Sequence, residues 1–287
     1  MQHVGYPLVG FDTAPSIEAM LAEMSPGYKI RPTKRFPIRY LRYWFVRSAL
    51  ADLHARLDRP LRVLEVGVGY GKMLAFMAGK KVGPDRYALP DSIARWDAIS
   101  AQADPRTLRR YSYSSFQQVD IEKPALVAEG AYDAVIVLHV LEHLSAPEAA
   151  MQRLLPALGE GGILVGGSPT MPSLIARTHE RYLRRKYADR MDDLRAHKHL
   201  SVITPRRIKK FSAAENMEIQ LLSGAFIMRS SRNPLEDYPW WLRMNLAWGA
   251  LFPSLGGELY FALKKVKSVL ALLFVGMTGE VFVGASI

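Results

Sequence analysis

Residues 61–77, Leu-Arg-Val-Leu-Glu-Val-Gly-Val-Gly-Tyr-Gly-Lys-Met-Leu-Ala-Phe-Met, read as a short buried strand, a turn with three alternate glycines, and a helix. Val63, Leu64 and Val66 suit a central parallel strand, and Met73, Leu74 and Met77 recur on one helical face. Gly67, Gly69 and Gly71 let the backbone bend tightly and approach a ligand, while the free amides at the helix start favour an anionic group. The turn is therefore read as a nucleotide cradle. A dinucleotide fingerprint, G-x-G-x-x-G, wants its third glycine at position 72, where Lys72 stands. The pattern here is E-x-G-x-G-x-G, with Glu65 near the end of the strand.

The chain that follows repeats the alternation of strand and helix. A loop over 80–90, punctuated by Gly83, Pro84 and Pro90, leads to a second strand at Ile93 to Asp97. Ser115 to Asp120 reads as a third, ending in an acid followed by Ile121. Tyr132-Asp133 opens a nearly uniform apolar run through Leu138 that breaks into Leu141-Glu142-His143-Leu144. Pro147 then starts a helix, and Gly159, Gly161 and Gly162 precede a fifth strand, Ile163 to Gly166, closed by Ser168-Pro169.

Over residues 61–170 this series resembles the class I S-adenosylmethionine-dependent methyltransferases, specifically the small-molecule type that includes enzymes acting on quinone and other phenolic hydroxyls. The resemblance implies an α/β fold: a Rossmann-like seven-stranded sheet with helices on both faces and the last strand antiparallel. Met217 to Arg229 and Gly257 to Leu263 then supply the final pair of strands. It implies S-adenosylmethionine as cofactor, its methionine end held by Glu65, Gly67, Val68, Gly69 and Gly71. Asp97, as the acid ending the second strand, would accept from both ribose hydroxyls; Asp85 stands at the more usual interval, but between Pro84 and Arg86 no strand is visible. Asp120 and Ile121 would hold the adenine, and His139 would line the cofactor after the fourth strand.

Methyl transfer from a sulfonium leaves the protein to supply alignment and, for a hydroxyl acceptor, removal of a proton. His143, just after the fourth strand on the edge where open α/β sheets bind ligands, and His199, after the capping segment, are the expected catalytic residues. No metal is expected, because the spacing of His139, His143, His197 and His199 matches no known ligand pattern.

Composition fits a globular chain of 287 residues, with 49% hydrophobic and 23% charged residues and no cysteine, which excludes disulfides and thiolate chemistry. Lysine and arginine number 38 against 27 acids, a net charge of +11, so an anionic partner is expected. The excess gathers at Lys29 to Arg47 and at Arg177 to Lys210. Nucleic acid is disfavoured as that partner: the Asn/Asp-Pro-Pro-aromatic tetrad of base-methylating enzymes is missing after the fourth strand, where His139-Val140-Leu141-Glu142 stands. Methyl transfer to an oxygen or nitrogen of a small-molecule or envelope-related glycan or lipid acceptor is preferred over RNA methylation, over a non-catalytic cofactor-binding protein and over a nicotinamide oxidoreductase.

The expected organisation is an N-terminal arm with helices over 1–58, a cofactor core over 59–170 and a basic helical cap over 171–215. C-terminal strands with an aromatic flap follow over 216–265, then an apolar tail over 266–287. Within the arm, one helix is expected from Pro37 to Ala49 and a second from Ser48 to Leu57. Val269 to Met277 is too short to span a bilayer. It suits docking on the core, docking on a second copy of the chain as a homodimer, or a peripheral contact with an anionic membrane. The start of the chain has neither a basic stretch nor an apolar run, and a cytoplasmic location is expected.

Overall fold

A computed structural model describes residues 41–77, 88–102, 108, 113–123, 128–188, 198–227, 235 and 238–266. The expected arm before residue 41, His197 and the apolar tail from residue 267 lie outside them. Strands β1 (Leu61–Val66), β2 (Ile93–Ser100), β3 (Ser115–Gln118), β4 (Tyr132–Leu138), β5 (Leu158–Pro169), β6 (Met217–Ala225) and β7 (Glu258–Lys265) form one sheet. Their order is β3-β2-β1-β4-β5-β7-β6. The first five pair in parallel, and β7 runs antiparallel to both β5 and β6. Between them come α1 (Leu41–Leu57), α2 (Lys72–Met77), α3 (Pro147–Leu154), α4 (Ser173–Lys186), α5 (Pro205–Ala214) and α6 (Pro239–Leu251).

The uniform apolar run of β4 is explained by burial on both faces. Ala134 and Ile136 join Val63, Ile163 and Val165 under α1 and α2, while Val135 and Val137 join Leu64, Val66 and Leu164 under α3 and α5. α1 is one helix where two were expected, because Ala49, Leu50 and Leu53 continue the buried stripe of Leu41, Phe45 and Val46 without a breaker. The aromatic flap is also a helix, α6. Its buried Asn245 accepts from the Ile227 amide at 2.7 Å and donates to the Trp241 carbonyl at 2.8 Å. Thr204 caps α5 as its spacing before Pro205 predicts, accepting from the Arg207 amide at 3.3 Å. Arg207 then ties α5 to Glu148 of α3 and Glu180 of α4, both at 2.5 Å, which fastens the basic cap to the sheet. Among the described residues no helix is long and apolar enough to cross a membrane.

Asp133 knots the entrance of β1 to the start of β4. Its carboxylate accepts from the Arg59 guanidinium at 2.7 and 2.9 Å and from the Arg62 amide at 2.9 Å. Burial alone would raise its pKa, but these donors outweigh it and hold the group at about 2. The native pKa thus lies below the ordinary 3.8, so the contribution is complete above that value and drains as pH falls toward about 2. Asp133→Asn is expected to lose about 2 kcal/mol at neutral pH, measured by urea unfolding. The variant should also lose less further stability than the parent on acidification to about pH 3.

Candidate active site

The strand order reverses between β1 and β4, and open α/β sheets bind ligands at the carboxyl ends of the strands flanking such a point. Here the two flanking tips carry the glycine turn and His139. Gly67, Gly69 and Gly71 have φ of +77°, +49° and +66°, the left-handed region that glycine enters without strain. The Gly67 amide donates to the Ile99 carbonyl at 2.8 Å and the Gly71 amide to the Val68 carbonyl at 2.8 Å, which closes the bend. A Cβ on Gly67 would stand 2.5 Å from Val140 Cγ2, whereas one on Gly69 would meet nothing within 4 Å. The bend is thus packed against the β4 tip on one side and faces open space on the other. Val68 is buried within it.

Glu65 lies buried on β1, its Oε2 accepting from Trp96 Nε1 at 3.0 Å and from the Tyr113 hydroxyl at 3.3 Å. Burial, only partly offset by these two donors, pushes its pKa up to about 7. A carboxyl whose native pKa exceeds its ordinary 4.5 takes up a proton on folding in that interval, so stability falls as pH rises from 4.5 to about 7. Glu65→Gln is expected to remove roughly 2 kcal/mol of stability loss between about pH 5.5 and pH 7.5. Urea unfolding of both proteins at the two pH values checks this.

Asp97 does not occupy the place expected of it. β2 runs on to Ser100, and Asp97 sits mid-strand at 1% exposure. Its carboxylate accepts from the Ser115 hydroxyl at 2.7 Å and the Tyr132 hydroxyl at 2.9 Å, and Arg95 lies 2.5 Å away. It therefore stitches β2 to β3 and β4 rather than facing a ribose at the strand tip. Ser100 ends β2, its hydroxyl donating to the Gln102 carbonyl at 2.5 Å. Asp120, beyond β3, accepts from the Glu122 amide at 3.0 Å, and Ile121 packs into the core beneath α3.

His139 has φ +54°, unusual for a residue with a Cβ. Its Nδ1 lies 3.0 Å from Glu142 Oε1 and its Nε2 3.6 Å from Glu258 Oε1. Burial would lower its pKa, but the two carboxylates prevail and raise it. Burial would likewise raise Glu142, and His139 reverses that. Arg42 of α1 reaches the same spot, donating to Glu258 at 2.9 Å, and Tyr260 donates its hydroxyl to the other Glu258 oxygen. Among the described residues, Arg42 Nε, His139 Nε2 and Thr170 Oγ1 are buried with no hydrogen-bond partner. Arg42 and Glu258 reach His139 from positions far from β4 in the chain, and that distance conceals the cluster in the sequence.

His143 and His199, the two expected catalytic residues, are brought together. Their rings meet edge to face with centroids 5.0 Å apart. The Glu142 carbonyl accepts from the amides of Leu200 at 2.7 Å and Ser201 at 3.1 Å, and the Ser201 hydroxyl donates to the Leu144 carbonyl at 2.7 Å. These bonds zip segment 198–201 along the turn after β4. His143 Nδ1 donates to the Lys198 carbonyl at 2.6 Å. The Glu142 carboxylate is held from its other oxygen by the Ser168 hydroxyl at 2.9 Å.

Residues 39–221 match the family described as "Methyltransferase domain". The chain belongs to that family. As a class I methyltransferase it draws its methyl group from S-adenosylmethionine. The ubiquinone biosynthesis O-methyltransferase of Nitrosococcus oceani is 26% identical over 209 residues, covering 70% of this chain and 76% of that protein. The one from Psychrobacter cryohalolentis is 26% identical over 189 residues, covering 64% and 67%. Among solved structures, the CurJ carbon methyltransferase superposes with a TM-score of 0.50 at 14% identity, over 88% of this chain and 64% of that one, which shows a shared fold. The left-handed glycine bend has open space beside Gly69, so its backbone there is accessible to a ligand.

Proposed function

We propose that the methyltransferase transfers its methyl group to a hydroxyl oxygen of a small molecule at the carboxyl edge of β1 and β4. The observation that carries this reading is the approach of His143 and His199 to each other beside the β4 tip. A sulfonium-borne methyl needs no further activation from the protein, so what remains for the chain is to align the acceptor and remove its proton. An imidazole nitrogen is a common acceptor for the proton of a reacting hydroxyl. Two relatives described as O-methyltransferases support the same acceptor chemistry. Within this reading the Gly67–Gly71 bend and Val68 hold the methionine end. Asp120 and Ile121 stand at the adenine end, and the tip of β2 at Ser100 takes the ribose position first assigned to Asp97. His139 with Glu142, Glu258 and Arg42 forms the polar floor beneath the transferring group.

The test is transfer of labelled methyl from S-adenosylmethionine to a panel of phenols, aliphatic alcohols and amines of similar size. Label is expected on phenolic or alcoholic oxygen. Label found on amines alone would reject the reading while leaving the family assignment in place.

A further inference from the structure

The turn after β4 and the 198–201 segment bring three ligand-bearing side chains together: Glu142, His143 and His199 each offer one atom, all within 4.8 Å of one another. We infer that these residues bind a divalent transition-metal cation, and that the acceptor hydroxyl docks on it. The role of the cation rests on the hydroxyl-acceptor reading above; its binding does not.

The surroundings are those of a metal site. A ligating imidazole fixes its tautomer by donating its other nitrogen to a carbonyl or carboxylate. His143 does this through Nδ1 to the Lys198 carbonyl at 2.6 Å. A ligating carboxylate is itself held by hydrogen bonds. Glu142, at 1% exposure, is held by Ser168 at 2.9 Å and lies 3.0 Å from His139 Nδ1. Burial of a carboxylate this deep is costly without compensation by positive charge, and a cation adds to what His139 supplies. His199 is exposed, and its ring can turn to bring the ligand atoms to the spacing that bonds of about 2.1 Å impose. Two imidazoles and one carboxylate suit manganese, iron(II), cobalt or zinc better than magnesium or calcium, which prefer oxygen throughout. Three protein ligands leave positions open for an acceptor oxygen. Spacing along the chain hid the set, because His199 joins it through the bonds that segment 198–201 makes with Glu142, His143 and Leu144.

The cation would act as a Lewis acid on the acceptor. The polarised hydroxyl gives its proton to water. Its oxygen then bonds the methyl carbon as the carbon–sulfur bond breaks, and that bond's electron pair stays on sulfur. On this account His143 and His199 position the cation and are not themselves the proton acceptors.

The experiment strips the full-length protein with a chelator and titrates it with cobalt(II) chloride, following visible d–d absorption, and then assays methyl transfer to the hydroxyl acceptor with and without metal. One cobalt per chain is expected, and His199→Ala and Glu142→Gln should each weaken binding by more than about 100-fold, beyond the loss of an outer hydrogen-bond partner. Transfer should cease on stripping and return with cobalt or manganese. No ligand-field spectrum, or equal cobalt affinity in parent and both variants, overturns the inference. Full transfer in chelator, with His143→Ala and His199→Ala inactive, also overturns it and makes the histidines bases, leaving the hydroxyl-acceptor reading intact. Tight cobalt binding that depends on both residues, with no transfer to any hydroxyl, upholds the metal site and rejects that reading instead.

Discussion

Gly69→Ala is expected to weaken S-adenosylmethionine binding by more than about 100-fold, or roughly 2.7 kcal/mol, while costing only the backbone term of about 1–2 kcal/mol in stability. At φ +49° a Cβ has a left-handed cost of about 1–2 kcal/mol. It would meet no protein atom within 4 Å, so the folded protein suffers nothing further. The added methyl enters the open side of the bend, where the ligand's backbone approach requires a bare Cα, and overfilling a tight fit costs about 1–3 kcal/mol. Gly67→Ala should behave in the opposite manner. Its Cβ would stand 2.5 Å from Val140 Cγ2 at φ +77°, so the loss falls on the free protein, roughly 3 kcal/mol of stability. Calorimetric titration together with urea unfolding separates the two. Equal cofactor affinity in Gly69→Ala and the parent would place the cofactor elsewhere.

The contrast between these two glycines was not visible in the sequence, although the motif containing them was. Strand β4 and the apolar centres of β1 and β5, Val63-Leu64 and Ile163-Leu164-Val165, were legible because both of their faces are buried, and the glycine turn marked the carboxyl edge of β1. Asp97 was misplaced because an acid following an apolar run looks like a strand end. Arg95 neutralises it from two residues away, but its hydroxyl donors, Ser115 and Tyr132, lie 18 and 35 residues away and become neighbours only when β2 pairs with β3 and the adjoining strands align. The same physics hid the floor of the site. Arg42 and Glu258 meet across 216 residues, a contact that periodicity in α1 cannot indicate because a buried arginine and a snorkelling one leave the same pattern. His143 and His199 were picked individually, on chemistry and position; that they touch follows from amide bonds to the Glu142 carbonyl, which any residue types at 200 and 201 other than proline could make.

His143→Ala is expected to lower kcat for methyl transfer by about 100- to 10,000-fold, the range for loss of proton management, which this imidazole supplies directly or through the bound cation, with cofactor affinity within about threefold of the parent. The argument depends on what else the side chain holds. Its Nδ1 bond to the Lys198 carbonyl, at 2.6 Å, is one neutral hydrogen bond, and its removal should cost about 1 kcal/mol of stability. Segment 198–201 stays in place without it, through two amides on the Glu142 carbonyl and the Ser201 hydroxyl on Leu144. The glycine bend meets the β4 tip at Val140 rather than at His143, so cofactor affinity is expected to hold. A kcat loss far larger than the stability loss can therefore be assigned to chemistry at the imidazole. His143→Gln provides the control, since its amide can restore a donor toward Lys198 and hence the stability, yet can neither take a proton at neutral pH nor replace the second ring nitrogen as a ligand. Single-turnover rates with saturating cofactor should find both variants slow and only the alanine variant less stable. If the glutamine variant turned over at the parent rate, His143 would be an anchor of the 198–201 segment and the proton would leave by another route.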